Sequence, residues 1–158
     1  MSKQSSERQA LLEAAARGAA DFGAAAGVVD DEVCAVLRIN RTDAEILAVL
    51  VQRGRLTAGE AAAAVRLSPA ATSTAIQRLV AAGHLTRSAD PEDRRRALLL
   101  LTEPARELLG RMYGPIGAEG AAMLADYTDD ELRLITGFLT RGRELQLAHA
   151  TRIRELAP

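Results

Sequence analysis

The feature that most constrains the fold is a dense series of helix starts and stops in the middle of the chain. Two starts are capping boxes, in which a Thr side chain accepts a hydrogen bond from a backbone N–H and a Glu three residues later caps in return. The third is a Ser followed by Pro, because proline is favoured at the first helical position. Two stops are glycines, which can adopt a left-handed turn. We therefore expect short, tightly linked helices that start at Thr42, Thr57 and Ser68, with stops at Gly54 and Gly83.

A strand, loop and strand pattern follows the third helix. The segments LTR (85–87) and ALLLL (97–101) flank the polar loop SADPEDRRR. Short strand-like runs around a long polar turn are typical of a hairpin. Helix, turn, helix and hairpin in this order predict a winged helix-turn-helix with a two-strand wing.

Amphipathic helices are expected on both sides of this lobe. Residues 5–27 and about 30–37 carry apolar side chains every three or four positions, with Gly27 expected to end or bend the helix between them. Thr102 should start a helix that is interrupted at 114–115, where Pro removes an internal hydrogen bond. A capping box at Thr128 should start the last helix. The apolar stripe of that helix consists of Leu132, Ile135, Leu139, Gly142 and Leu145.

These outer helices expose more apolar surface than one chain is expected to cover, so we predict a homodimer rather than helices that fold back within one chain. The predicted fold class is mainly α: a winged helix-turn-helix with N- and C-terminal dimerisation helices. The predicted domains are an arm at 1–38, a DNA-binding lobe at 39–102 and C-terminal helices at 103–158. A two-fold dimer would read half-sites one DNA turn apart, roughly 34–36 Å, so its operator should be nearly palindromic.

Charge is distributed unevenly along the chain. The net charge is −1, but residues 52–96 contain eight arginines against four carboxylates, a net of +4, and the remainder carries −5. A basic centre between acidic ends suits a protein whose middle meets DNA.

No segment approaches the roughly 18 apolar residues of a membrane span, and the N-terminus lacks a signal-peptide core. We therefore expect a cytoplasmic protein without a membrane partner.

The helix after Ser68 has one apolar side and one small, polar side. Thr72, Ala75, Ile76, Leu79 and Val80 share the side expected to face inward. On the other side, small residues would allow close approach to base edges, a Gln can pair with adenine, and an Arg can reach guanine or a phosphate. Taken alone, this side could equally be an ordinary solvated helix face. Its members are Ala70, Ala71, Ser73, Thr74, Gln77 and Arg78.

The wing loop supports a DNA contact. It has no large apolar side chain to bury, and it carries three arginines, of a type that a narrow minor groove attracts. Asp93 is expected to orient Arg95 through an ion pair, with Arg94 beside it. The alternative is that the loop is an ordinary run of solvated charges. Because the loop directly follows a helix-turn-helix, DNA contact is favoured over this alternative.

The run from Leu37 to Thr102 resembles the DNA-binding lobe of the multiple-antibiotic-resistance regulator (MarR) family, and its DPEDRRR segment carries the family's Asp-x-Arg element at Asp93 and Arg95. Leu100 departs from the pattern, because a polar or basic residue is commoner there. The resemblance implies a helix beginning at Ser68 in the major groove, Arg95 in the minor groove and interlocked terminal helices. It also implies a ligand-responsive repressor that releases DNA when a small molecule or an oxidant changes the spacing of the two reading heads.

Other functions are less favoured by the sequence. Cys34, the only cysteine, is a possible redox sensor, but a buried inert thiol is the ordinary case. Neither His84 nor His149 belongs to a cluster with metal-ligand spacing, so no metal or other cofactor is expected. The chain has no phosphate loop or nucleophile elbow that would indicate an enzyme. The remaining alternative is a winged-helix module that binds protein instead of DNA.

Overall fold

The computed structural model describes residues 3–91, 93 and 96–156. These residues form six helices and a three-stranded antiparallel sheet, which confirms the mainly α winged-helix class. The helices are α1 (Lys3–Leu37), α2 (Arg41–Arg53), α3 (Ala58–Val65), α4 (Pro69–Ala81), α5 (Glu103–Leu124) and α6 (Asp129–Arg154). The strands are β1 (Leu56–Thr57), β2 (Leu85–Ala89) and β3 (Ala97–Leu101).

Two of the three predicted capping boxes are confirmed. The Thr57 backbone N–H donates to Glu60 Oε2 at 2.7 Å, and the Glu60 N–H donates back to the Thr57 hydroxyl at 3.2 Å. The same reciprocal bonds form at Thr128. The box predicted at Thr42 is wrong. Asn40 caps α2 instead, accepting from the Asp43 N–H at 2.9 Å, so the helix starts two residues earlier than a cap at Thr42 would place it; Asn is at least as good an N-cap as Thr.

The prediction that Gly27 ends a helix is wrong, because α1 continues through it to Leu37. A single glycine lowers helix propensity without removing a backbone hydrogen bond, so the flanking turns can carry the helix across it. Gly27 is instead a contact point for α2. The Arg41 guanidinium donates to the Gly27 carbonyl at 3.1 Å and to Asp31 Oδ1 at 2.8 Å. Arg41 thereby attaches the start of α2 to the side of α1.

A Gly27→Ala substitution is expected to raise the free energy of unfolding by about 0.5–1 kcal/mol, the usual gain from replacing glycine in a helix interior. The new Cβ would lie 3.7 Å from Arg41 Nη2, an ordinary contact. Thermal and urea denaturation would measure the change. Gly54→Ala is the matched control. It should destabilise the fold, because Gly54 has a φ of +75°, a conformation that residues with a side chain rarely adopt. Destabilisation by Gly27→Ala would show that α1 needs the glycine.

The wing strands β2 and β3 pair as predicted, but the sheet also contains the unpredicted strand β1 in the order β1-β3-β2. Leu56 pairs with Leu99, which places β3 in the centre of the sheet. This position explains why β3 is so apolar and why the departure at Leu100 is tolerated: Leu98, Leu99 and Leu101 are buried and Leu100 is half-buried.

The core of the lobe lies where α2, α3 and α4 meet this sheet. Its fully buried side chains come from all of these elements, so burial of apolar surface fixes the helices to the sheet. The largest of them are Ile46, Leu47, Leu50, Leu56, Ile76, Leu79 and Leu99.

The predicted interruption at 114–115 is wrong, because α5 runs through Pro115 to Leu124. Pro115 cannot donate to the Arg111 carbonyl, but the bonds on either side maintain the helix. The chain forms two compact units, Met1–Gly110 and Arg111–Pro158. In the second unit, α6 has no buried residue along its 26 residues.

Candidate nucleic-acid interface

The recognition helix α4 is held by its own cap and by its apolar side. Ser68 accepts a hydrogen bond from the Ala71 N–H at 3.2 Å, and Pro69 occupies the first turn. Of the five side chains predicted to face inward, four are buried; these are Thr72, Ala75, Ile76 and Leu79. Val80 is 38% exposed, so its assignment to the buried side is wrong. It lies at the edge of that side, where the packing surface ends.

We call the six remaining predicted positions of α4 the outer face: Ala70, Ala71, Ser73, Thr74, Gln77 and Arg78. All six are exposed, as the sequence pattern predicts. The Thr74 hydroxyl donates to the Ala70 carbonyl at 3.1 Å, which leaves its oxygen available as an acceptor. Small side chains at the start of the helix leave room for a close approach to the backbone there.

Arg78 makes a contact that the sequence did not indicate. Its Nε donates to Asp43 Oδ2 at 3.1 Å and its Nη2 to Asp43 Oδ1 at 2.7 Å, so the pair is bidentate. The Asp43 side chain is 3% exposed and the Arg78 side chain 47%. The hydrogen bond to Asp43 raises the pKa of Arg78 above its ordinary value. In sequence, Asp43 looks like one more acidic residue in a first helical turn, and the 35-residue separation gives no local signal of the pair.

The wing is described on both sides of its tip. The Asp90 N–H donates to the Arg96 carbonyl at 3.0 Å, and the Arg96 N–H donates to the Asp93 carbonyl at 2.9 Å, so the turn is closed by backbone bonds. Asp93 is exposed. Arg94 and Arg95 lie outside the described residues, so the pairing of Asp93 with Arg95 stays a prediction.

Arginines also surround the start of α3. The backbone N–H and the hydroxyl of Thr57 hold the pKa of Glu60 below its ordinary value, and the positive charges of Arg96 and Arg53 lower it further. Arg53 at the end of α2 and Arg96 at the base of the wing therefore add positive potential beside the helix-turn-helix.

His84 and Thr102 connect the recognition helix to its surroundings. His84 Nε2 lies 3.0 Å from the Leu37 carbonyl, the last residue of α1. The Thr102 hydroxyl donates to the Gly83 carbonyl at 2.7 Å. The end of α4 is thus joined both to the end of α1 and to the start of α5.

Cys34 lies near the end of α1 and is half-buried. Burial raises the pKa of its thiol; the positive charge of Arg41 opposes this effect, and the carboxylates of Asp31, Asp30 and Asp43 add to it. A raised pKa reduces the thiolate fraction at neutral pH, and the thiolate is the reactive form. These surroundings favour an unreactive thiol.

We therefore expect iodoacetamide to modify Cys34 more slowly than free cysteine at pH 8, with the midpoint of the rate profile displaced to higher pH. Mass spectrometry of native protein across a pH series would measure this. Protein unfolded in guanidinium is the control, because unfolding should restore the ordinary rate. Modification faster than that of free cysteine would return Cys34 to consideration as a redox sensor.

In the part of the chain that the structure describes, no helix is long and apolar enough to cross a membrane. No group of three or more His, Cys, Asp or Glu side chains within it is placed to hold a metal ion.

The short helices α2 to α4, the exposed side of α4 and the antiparallel wing define a winged helix-turn-helix protein of the DNA-binding class. Residues 39–96 match the model of the MarR family. The HTH-type transcriptional regulator YcgE of Bacillus subtilis is 26% identical over 114 residues, which cover 72% of this chain and 74% of the relative. Both matches support the MarR family of transcriptional regulators for this chain.

Solved structures of transcriptional regulators have a similar fold. A transcriptional regulator from Thermotoga maritima superimposes with a TM-score of 0.59 at 19% identity, covering 88% of this chain and 98% of its own. The apo form of wild-type MarR from E. coli gives a TM-score of 0.54 at 19% identity, with coverages of 80% and 93%. At these identities the likeness concerns the fold.

Proposed function

We propose that this regulator is a homodimeric, sequence-specific repressor that binds a nearly palindromic operator in the cytoplasm and releases it in response to a small-molecule effector. The observation that carries the proposal is the outer face of α4, which is fully exposed although the helix is capped and packed on its other side. Repression and effector response are proposed from membership of the family.

The homodimer is supported by the unpaired apolar surface of the terminal helices. On α6, Leu134 is 71% exposed, Phe138 49% and Leu139 53%. On α1, Leu12 is 54% and Phe22 70% exposed. Large apolar side chains exposed along a helix favour an interaction site on each of these helices, and dimers are typical of the family. A second copy of this chain is the occupant that we propose for it.

The proposed DNA contacts divide between the two grooves. Ser68 and the start of α4 lie where a helix N-terminus favours a phosphate. The outer face would enter the major groove, with Gln77 able to pair with adenine. In the wing, Asp93, Arg94 and Arg95 are proposed for the minor groove, where narrow walls concentrate negative potential.

A direct test is binding to the DNA immediately upstream of the protein's own gene, measured by fluorescence anisotropy across a salt series. We expect one dimer per site and an affinity that falls steeply with salt, because arginines displace counterions from phosphates. Arg95→Ala should weaken binding roughly tenfold without changing the melting temperature, since it removes one charged side chain from a polar loop that has no large apolar side chain to bury. Salt-insensitive capture of a protein, with no DNA bound at low salt, would instead support the protein-interaction module.

A further inference from the structure

Arg78 is half-exposed on the outer face, but its guanidinium is attached to the body of the lobe by Asp43. On the helical wheel of α4, Arg78 lies at the flank of the outer face, whereas Thr74 and Gln77 lie near its centre. A side chain fixed at the flank of a recognition helix is placed for the rim of the groove, where the phosphates lie.

The geometry of the ion pair leaves one edge of the guanidinium available. A guanidinium has five N–H donors, and Asp43 takes one from Nε and one from Nη2. The remaining donors, on Nη1 and the outer side of Nη2, form the end-on edge that suits two oxygens of a phosphate. Asp43 is buried, so it fixes the guanidinium from behind, while 47% of the Arg78 side chain is exposed.

We propose that Arg78 binds a DNA backbone phosphate through this end-on edge and that Asp43 is the positioning residue that holds it in that orientation. The inference rests on the proposed function as a DNA-binding regulator. It removes Arg78 from direct base reading and leaves sequence recognition on α4 to Thr74 and Gln77, which lie near the centre of the outer face.

The Asp43→Asn variant tests the positioning role by the sign of its effect. Removing a negative charge beside DNA would tighten binding if only net charge mattered. A positioning role predicts the opposite: a loss of roughly three- to tenfold, equal for operator and unrelated duplex, because a phosphate contact carries no sequence information. The matched control is Asp31→Asn, which makes the same chemical change at the exposed Arg41 pair and should alter affinity less than twofold.

The double variant Asp43→Asn/Arg78→Gln tests the phosphate contact without leaving a buried charge unpaired. Compared with the wild-type protein, which has the same net charge, its slope of log affinity against log salt should be shallower by about one, as expected for one cation removed from a phosphate. Thermal melts and active-fraction titration would accompany each measurement, so that misfolded protein is not counted as weak binding. If Asp43→Asn does not fold, Arg78→Lys keeps a cation for Asp43 and should weaken binding to all sequences alike.

Each outcome is decisive. Tighter or unchanged binding by folded Asp43→Asn would overturn the positioning role, and an unchanged salt slope in the double variant would overturn the phosphate contact. A loss confined to operators with one particular base pair would show base reading instead. A wild-type protein that binds no DNA at low salt would overturn the proposed function itself, an outcome distinct from all of these.

Discussion

A Phe138→Glu variant is expected to be monomeric and to lose operator affinity roughly 100-fold or more. Phe138 lies within the apolar face of α6, where Leu134, Ile135 and Leu139 line a groove of about 330 Å³ together with Arg141. A carboxylate at that position would be desolvated among apolar side chains at the proposed dimer interface, and the single neighbouring cation, Arg141, would not offset that cost. A monomer also binds only one half-site at a time, whereas two linked DNA-binding lobes raise the affinity by about two to four orders of magnitude.

Sedimentation velocity would measure the oligomeric state and anisotropy the affinity. Thr140→Glu is the matched control, because it adds the same charge to an exposed position about 200° away around α6. It should leave the dimer intact. A dimeric Phe138→Glu variant would show that this face of α6 is not the interface.

An Arg78→Ala variant is expected to lower the free energy of unfolding by about 2–3 kcal/mol, corresponding to a fall in melting temperature of roughly 5–10 °C. The loss of stability arises at Asp43. Arg78 donates to both oxygens of its buried carboxylate, and without Arg78 neither oxygen would keep that hydrogen bond. Breaking a fully buried pair can cost more than this, but the outer part of this pair is open to water.

The measurement is chemical denaturation of Arg78→Ala, of Asp43→Ala and of the double variant. The double variant should be more stable than the sum of the single losses predicts, because removing both partners leaves no buried charge unpaired. Additive losses would show that the pair does not stabilise the fold. Weak DNA binding by Arg78→Ala therefore needs its stability measured alongside, because unfolding alone would produce it.

Local signals predicted most of the secondary structure, because they act within one helical turn. The capping boxes at Thr57 and Thr128 and the Ser-Pro start at Ser68 are each satisfied by a residue three positions away. Predictions failed where a second residue competed for the same local role, as Asn40 does with Thr42. They also failed where a helix breaker was outweighed by the turns on either side, as at Gly27 and Pro115.

The outer face of α4 followed from helical periodicity, because four buried side chains on one side leave the other exposed. Its electrostatics did not follow, because Arg78 is paired with a carboxylate 35 residues away. The strand β1 was not predicted for a similar reason. Its two residues form a strand only because they pair with β3, which lies about 40 residues later in the chain.

The sequence by itself determined the order of the helices, the wing and the exposed side of α4, since these depend on spacing, capping and side-chain type along a continuous segment. Only the tertiary structure decided which residues stand behind that surface. It brought the start of α2 against α4, so that Asp43 holds Arg78, and against α1, so that Arg41 reaches Gly27. Such contacts depend on how helices pack, and packing joins residues that no local pattern relates.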